Sequence, residues 1–113
     1  METYREERPW GAFEQFTHNE PSTVKLIHVS PTGRLSLQRH QKRDEFWRVV
    51  SGSPRITIGD IVTIANVGDE FSIPKGTIHR IESPDSASVI LEIATGDFDE
   101  SDIERLEDTY GRA

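Results

Sequence analysis

No cysteine occurs in the 113 residues, which excludes disulfide staples, thiolate metal sites and thiol nucleophiles together. Any metal site must therefore use nitrogen and oxygen ligands. Long apolar runs are missing too: no stretch approaches the roughly 20 residues that span a bilayer. Positive charge is in short supply, with 13 Lys and Arg against 20 Asp and Glu and a formal net charge of -7. Nucleic-acid binding draws its affinity from clustered cations, so neither a nucleic acid nor a membrane is expected as a partner. The opening "METYREERPWG" is charged throughout and lacks the apolar middle of a signal peptide, which predicts a cytoplasmic protein. The length suits a single domain over residues 1–113.

The apolar residues come in short, β-branched or aromatic stretches. "VKLIHV" (24–29), "RLSLQRH" (34–40), "EFWRVVSG" (45–52), "RITIG", "IVTIANVG", "EFSIP", "HRIES" and "ASVILEIATG" are divided by turn signals such as Pro31-Thr-Gly33, Gly59-Asp60 and Pro74-Lys-Gly76. Short strands at that spacing predict an all-β sandwich or barrel over 21–96. Residues 1–20, with isolated Trp10, Phe13 and Phe16, read as an irregular arm. The tail 97–113 changes period: Ser101 followed by Glu104 is a capping box, and Ile103, Leu106 and Tyr110 then share one helical face before Gly111. A short C-terminal helix is expected there.

One stretch carries chemistry. In "LSLQRHQKRDEFWRVVSG" (35–52), residues two apart on a strand share a face, so Gln38 and His40 can converge. An antiparallel return through 41–44 would bring Glu45 beside them, on the side of Trp47 and Val49. A carboxylate there costs several kcal/mol unless something compensates its charge, and a divalent cation would do so. The alternative is that Gln38 and His40 lie on a solvated face while Glu45 pairs with Arg43 or Arg48. Farther on, "GDEFSIPKGTIHRIES" (68–83) sets a rigid Pro-x-Gly turn before His79, a sound way to deliver a fourth ligand.

These two stretches resemble the paired motifs of the cupin superfamily, G-x5-H-x-H-x3,4-E-x6-G and G-x5-P-x-G-x2-H-x3-N. The second fits at Gly68, Pro74, Gly76 and His79, with Ser83 in place of Asn. The first fits at His40, Glu45 and Gly52, but Gln38 stands where the first His belongs, and Gly33 is one residue nearer than the pattern asks. "RPWGAFE", "LSLQRH", "RDEFWRVVSG", "IPKGTIHRIES" and "DIERLEDTYGR" further resemble the type II phosphomannose isomerase domain, usually the C-terminal part of bifunctional mannose-1-phosphate guanylyltransferases. The resemblance covers residues 8–112 and carries no expectation of nucleotidyl transfer.

It implies a cupin double-stranded β-helix and one divalent metal, zinc foremost with Mn, Fe, Co or Ni as alternatives, held by Gln38, His40, Glu45 and His79. It also implies interconversion of mannose 6-phosphate and fructose 6-phosphate. Two readings remain beside it: a non-catalytic cupin that binds metal or sugar phosphate, and another metal-dependent cupin enzyme such as an oxygenase. The family often has a His-rich stretch after the first metal His; here it is "QKR", with Lys42 at a usual His position. For the sugar phosphate, Arg43 in the turn ranks first, Arg80 requires a bent strand, and Lys42 and Lys75 follow. Lys42, Glu70 and metal-bound water stand as alternatives for the proton-moving base. A homodimer is expected, with Trp10 and Phe13 of the arm as contacts.

Overall fold

A computed structural model describes residues 3–112. Among these described residues eleven strands form in chain order: β1 Tyr4–Arg8, β2 Gly11–Gln15, β3 Ser22–Val29, β4 Leu37–Arg39, β5 Arg43–Ser51, β6 Arg55–Ile58, β7 Ile61–Ile64, β8 Glu70–Ile73, β9 His79–Glu82, β10 Ser88–Gly96 and β11 Glu104–Glu107. They make a four-stranded sheet ordered β3-β10-β5-β8, a five-stranded sheet ordered β11-β4-β9-β6-β7, and a separate hairpin β1-β2. Every pairing is antiparallel.

The two larger sheets face each other because each strand alternates apolar and polar residues, leaving one inner face apiece. Trp47 and Val49 of β5, Ile90 of β10, Ile56 of β6 and Ile81 of β9 meet there with Val29, Ala65 and Ile73. Each of the Val and Ile side chains is worth roughly 1.5–3 kcal/mol when taken fully out of water. Gly52 permits the close approach of two loops: its φ is +82°, and a Cβ there would lie 2.5 Å from the Ala87 carbonyl oxygen.

Two expectations are corrected. The arm is not irregular: it forms the β1-β2 hairpin, with Tyr4 packed on Phe13 and Trp10 exposed at the turn. Nor does the tail form a helix. Its side chains bond locally to backbone instead, as where Asp99 Oδ1 accepts from the Ser101 amide and hydroxyl, and such bonds compete with helical ones. The chain then enters β11 along the open edge of β4, where ladder bonds and an Arg39–Glu104 ion pair at 2.8 Å hold it. A free edge strand takes a partner because its amides and carbonyls are otherwise unpaired.

Candidate metal centre

Cross-strand partners share a face, so the pairing register says what meets inside. One row across the five-stranded sheet reads Arg105, Gln38, His79, Ile58. Opposite it, adjacent rows of the four-stranded sheet read Ala94, Glu45, Ile73 and Lys25, Glu92, Trp47, Phe71. His40 enters just beyond the end of β4. Its carbonyl accepts from the Gly76 amide at 2.7 Å, which ties the Pro74-Lys-Gly76 turn to the strand it serves.

His40, Glu45 and His79 are all buried, and each offers a ligand atom within 4.8 Å of the others. The imidazoles are fixed from behind. His40 Nδ1 donates to the Asp102 carbonyl at 2.7 Å, and His79 Nδ1 donates to the Thr77 carbonyl at 2.8 Å, so both rings turn an Nε2 lone pair inward. Burial pushes the His79 imidazole below its ordinary value, against the opposing pull of the Glu45 carboxylate. Neutral His79 therefore presents an acceptor to Glu45 Oε1 at 3.4 Å, itself an acceptor, and neither atom has a hydrogen-bond partner. Two buried lone pairs facing each other are costly, and a cation between them removes the cost. The donor set of imidazoles and a carboxylate suits a divalent transition metal.

The structure places Gln38 against the same cluster. The Ser36 hydroxyl donates to its Oε1 at 2.7 Å, while its Nε2 lies 3.5 Å from His40 Nε2. Turning the amide over would present the oxygen inward and keep the serine bond, because a hydroxyl also accepts.

Arg43 is buried in the cluster rather than free in a turn. Its Nε donates to Glu45 Oε2 at 3.0 Å, Nη2 to His40 Nε2 at 3.1 Å and Nη1 to the Asp99 carbonyl at 3.2 Å, and its guanidinium lies over Phe98. Arg80 is not brought to the site: strand parity directs it to the opposite face, where it donates to the Leu35 carbonyl and to Glu107 of β11. Lys42 and Lys75 are exposed on the rim, and the Lys42 amide is capped by Asp102 Oδ2 at 3.0 Å. Glu70 sits on the outer face with Arg48.

A cavity of about 260 Å³ opens beside the cluster, and it brings in residues that sequence reasoning passed over: Lys25, Glu92 and Arg105. Arg105 Nε is buried without an acceptor, and among the described residues Arg105 forms no ion pair. Glu92 did leave a signal, as the lone charge inside the apolar run "VILEIA". Arg105 left none, since it faces inward only once the tail is a strand.

Two facing antiparallel sheets with a His, Glu, His cluster between them define the cupin class. Solved structures agree on the fold. Oxalate decarboxylase from Bacillus subtilis aligns with a TM-score of 0.69 at 24% identity, covering 77% of this chain and 24% of that one. A putative sugar phosphate isomerase from Acidithiobacillus ferrooxidans aligns at 0.59 with 22% identity, covering 66% of this chain and 49% of that one.

Within that class the chain belongs to the family described as "Mannose-6-phosphate isomerase C-terminal", which it matches over residues 2–108. The xanthan biosynthesis protein XanB of Xanthomonas campestris pv. campestris is 41% identical over 107 residues, 93% of this chain and 23% of that protein. The alginate biosynthesis protein AlgA of Pseudomonas aeruginosa is 40% identical over 93% of this chain and 22% of its own length. The chain thus spans under a quarter of these relatives. Among the described residues no helix is long and apolar enough to cross a membrane.

Proposed function

We propose that this chain is a metal-dependent isomerase that interconverts mannose 6-phosphate and fructose 6-phosphate and so feeds polysaccharide precursor synthesis. The observation that carries the reading is the pair of orphaned acceptors, Glu45 Oε1 and His79 Nε2, beside His40 in a chain of this family. His40, Glu45 and His79 would hold the ion, with Gln38 joining through its amide oxygen. When bound, a divalent ion supplies positive charge against the enediolate that forms as the C2 proton leaves.

The chain's own residues do the rest. Asp102 and Thr77 carbonyls hold the two imidazoles in one tautomer and orientation. Arg43 holds the Glu45 carboxylate in place through its Nε bond, and it adds a fixed donor fork at the cavity wall. Because Arg43 is already engaged, the phosphate reading moves outward to Arg105, whose guanidinium has no carboxylate to neutralise it and which lines the same cavity. Lys42 stays outside this arrangement.

The test is a coupled assay of mannose 6-phosphate isomerisation on protein whose metal content has been measured. Turnover that scales with metal occupancy is the expected result. Fully metallated protein that binds the sugar phosphate without converting it would overturn the isomerase reading and leave a binding protein.

A further inference from the structure

An aldose to ketose conversion needs a group that takes a proton from C2 and returns it to C1. The residues around the cavity nearly all fail this requirement. His40, Glu45 and His79 are the proposed ligands, and a coordinated carboxylate or imidazole has its lone pair committed. Arg43 and Arg105 carry guanidiniums, which are no bases at neutral pH. Glu100 lies on the exposed rim, where the Lys25 ammonium at 3.0 Å holds its carboxyl below the usual range. Glu70 is on the outer face with Arg48, and Lys42 is exposed.

Glu92 remains. It sits at the middle of β10, flanked across the sheet by Lys25 and Trp47, and its register puts the side chain on the inner face with Glu45. It is 7% exposed and lines the cavity that borders the ligand cluster. Among the described residues it forms no ion pair, since neighbouring Lys25 is bonded to Glu100. An unpaired carboxyl between Ile90 and Ala94 on a packed sheet face costs stability, and apolar neighbours do not explain it.

We propose that Glu92 is the catalytic residue that carries the proton between C2 and C1, an assignment that rests on the isomerase reading. As a carboxylate it takes the C2 proton of the open-chain aldose. The C2–H electron pair becomes the C1=C2 bond and the carbonyl pair moves onto O1. The proton on O2 then passes to O1, the O2 electrons form the C2 carbonyl, and the C1=C2 pair takes the proton back from Glu92 onto C1. No oxidant or reductant is consumed. Burial is the first cause that raises the Glu92 carboxyl above its ordinary value, while Lys25 and Arg43 pull it back down. A raised carboxyl suits a group that must both take and give a proton.

The test compares wild type, Glu92→Gln and Glu92→Asp, each with measured metal content. Turnover, deuterium uptake from heavy water into product C1, and binding of mannitol 6-phosphate, which cannot isomerise, are read in parallel. Glu92→Gln is expected to lose about 10²–10⁴-fold in turnover and in deuterium uptake while metal content and mannitol 6-phosphate binding hold. Glu92→Asp keeps the acid and should recover at least about tenfold of that loss, which also covers the case in which the Gln variant folds poorly. Turnover of Glu92→Gln within about threefold of wild type overturns the assignment alone. So does an Asp variant no better than Gln, or loss of metal and sugar-phosphate binding in step with activity, since either makes the role structural. Absence of turnover in metallated wild type removes the isomerase reading and this assignment with it.

Discussion

Ile81 and His79 stand two residues apart on the same face of β9, at 0% and 1% exposure. They belong to opposite halves of one interior. Around Ile81 the neighbours are Ile56, Val49, Trp47 and Ile90, apolar throughout save for the Trp47 indole N–H, which finds no acceptor. Around His79 they are Glu45, His40, Gln38 and Arg43, with two acceptors unsatisfied. The pleat buries whatever falls on the inner face, so the same backbone produces a stabilising half and a costly half. The costly half persists in the fold because Trp47, Val49 and their partners supply the stability that it lacks.

The sharpest way to break this comparison is to truncate one side chain in each half. Ile81→Ala should cost about 2–5 kcal/mol in urea unfolding while each folded molecule still takes up its metal. His79→Leu, of similar volume, should leave the metal-free protein within about 1 kcal/mol of wild type and abolish metal uptake. Added metal should then stabilise wild type by about 2.7 kcal/mol at a hundred times its dissociation constant and leave His79→Leu unmoved. Equal losses of metal-free stability in the two variants would erase the distinction between the halves.

A smaller effect is expected at the cavity mouth. Arg105→Ala should raise KM for the sugar phosphate about tenfold and leave kcat and metal content nearly unchanged, because it removes binding without touching the ligands. A fall in kcat with KM unaltered would place Arg105 in the chemistry instead.

The smallest effect is the dependence of metal-free stability on pH. The Glu92 carboxyl is raised from 4.5 to about 7, so the folded state holds its proton more tightly than the unfolded chain. That contribution is present at low pH and is lost as pH rises from about 4.5 to about 7. His79 is lowered from 6.5, so the unfolded chain protonates first and stability falls as pH drops below 6.5. The two slopes oppose each other in wild type. In Glu92→Gln only the His79 slope remains, and urea midpoints should rise more steeply toward pH 6.5 than in wild type. An unchanged profile would mean that Glu92 is not protonated more readily in the folded state.

Much of this was legible in the chain. Alternation and Gly or Pro turns marked the strands from residue 24 to 96, and the shared parity of Gln38 and His40 anticipated their convergence. The Pro74-Lys-Gly76 turn announced His79. The tail misled because Ser101, Glu104, Ile103, Leu106 and Tyr110 satisfy a helical pattern, while the open edge of β4 that captures residues 104–107 leaves no trace in local sequence. Arg43 had the right neighbourhood and a different duty, held between Glu45, His40 and Asp99.

Period-2 patterning, turn residues and the absence of cysteine settled from the chain alone that the protein is β-built and that any metal must rest on nitrogen and oxygen. They also settled which side chains share a face. Which strand lies beside which is a matter of long-range pairing, and period carries no information about it. Only the assembled sheets set Arg105 in the row of Gln38 and His79, brought Glu92 to the cavity, and left Glu45 Oε1 and His79 Nε2 facing each other at 3.4 Å.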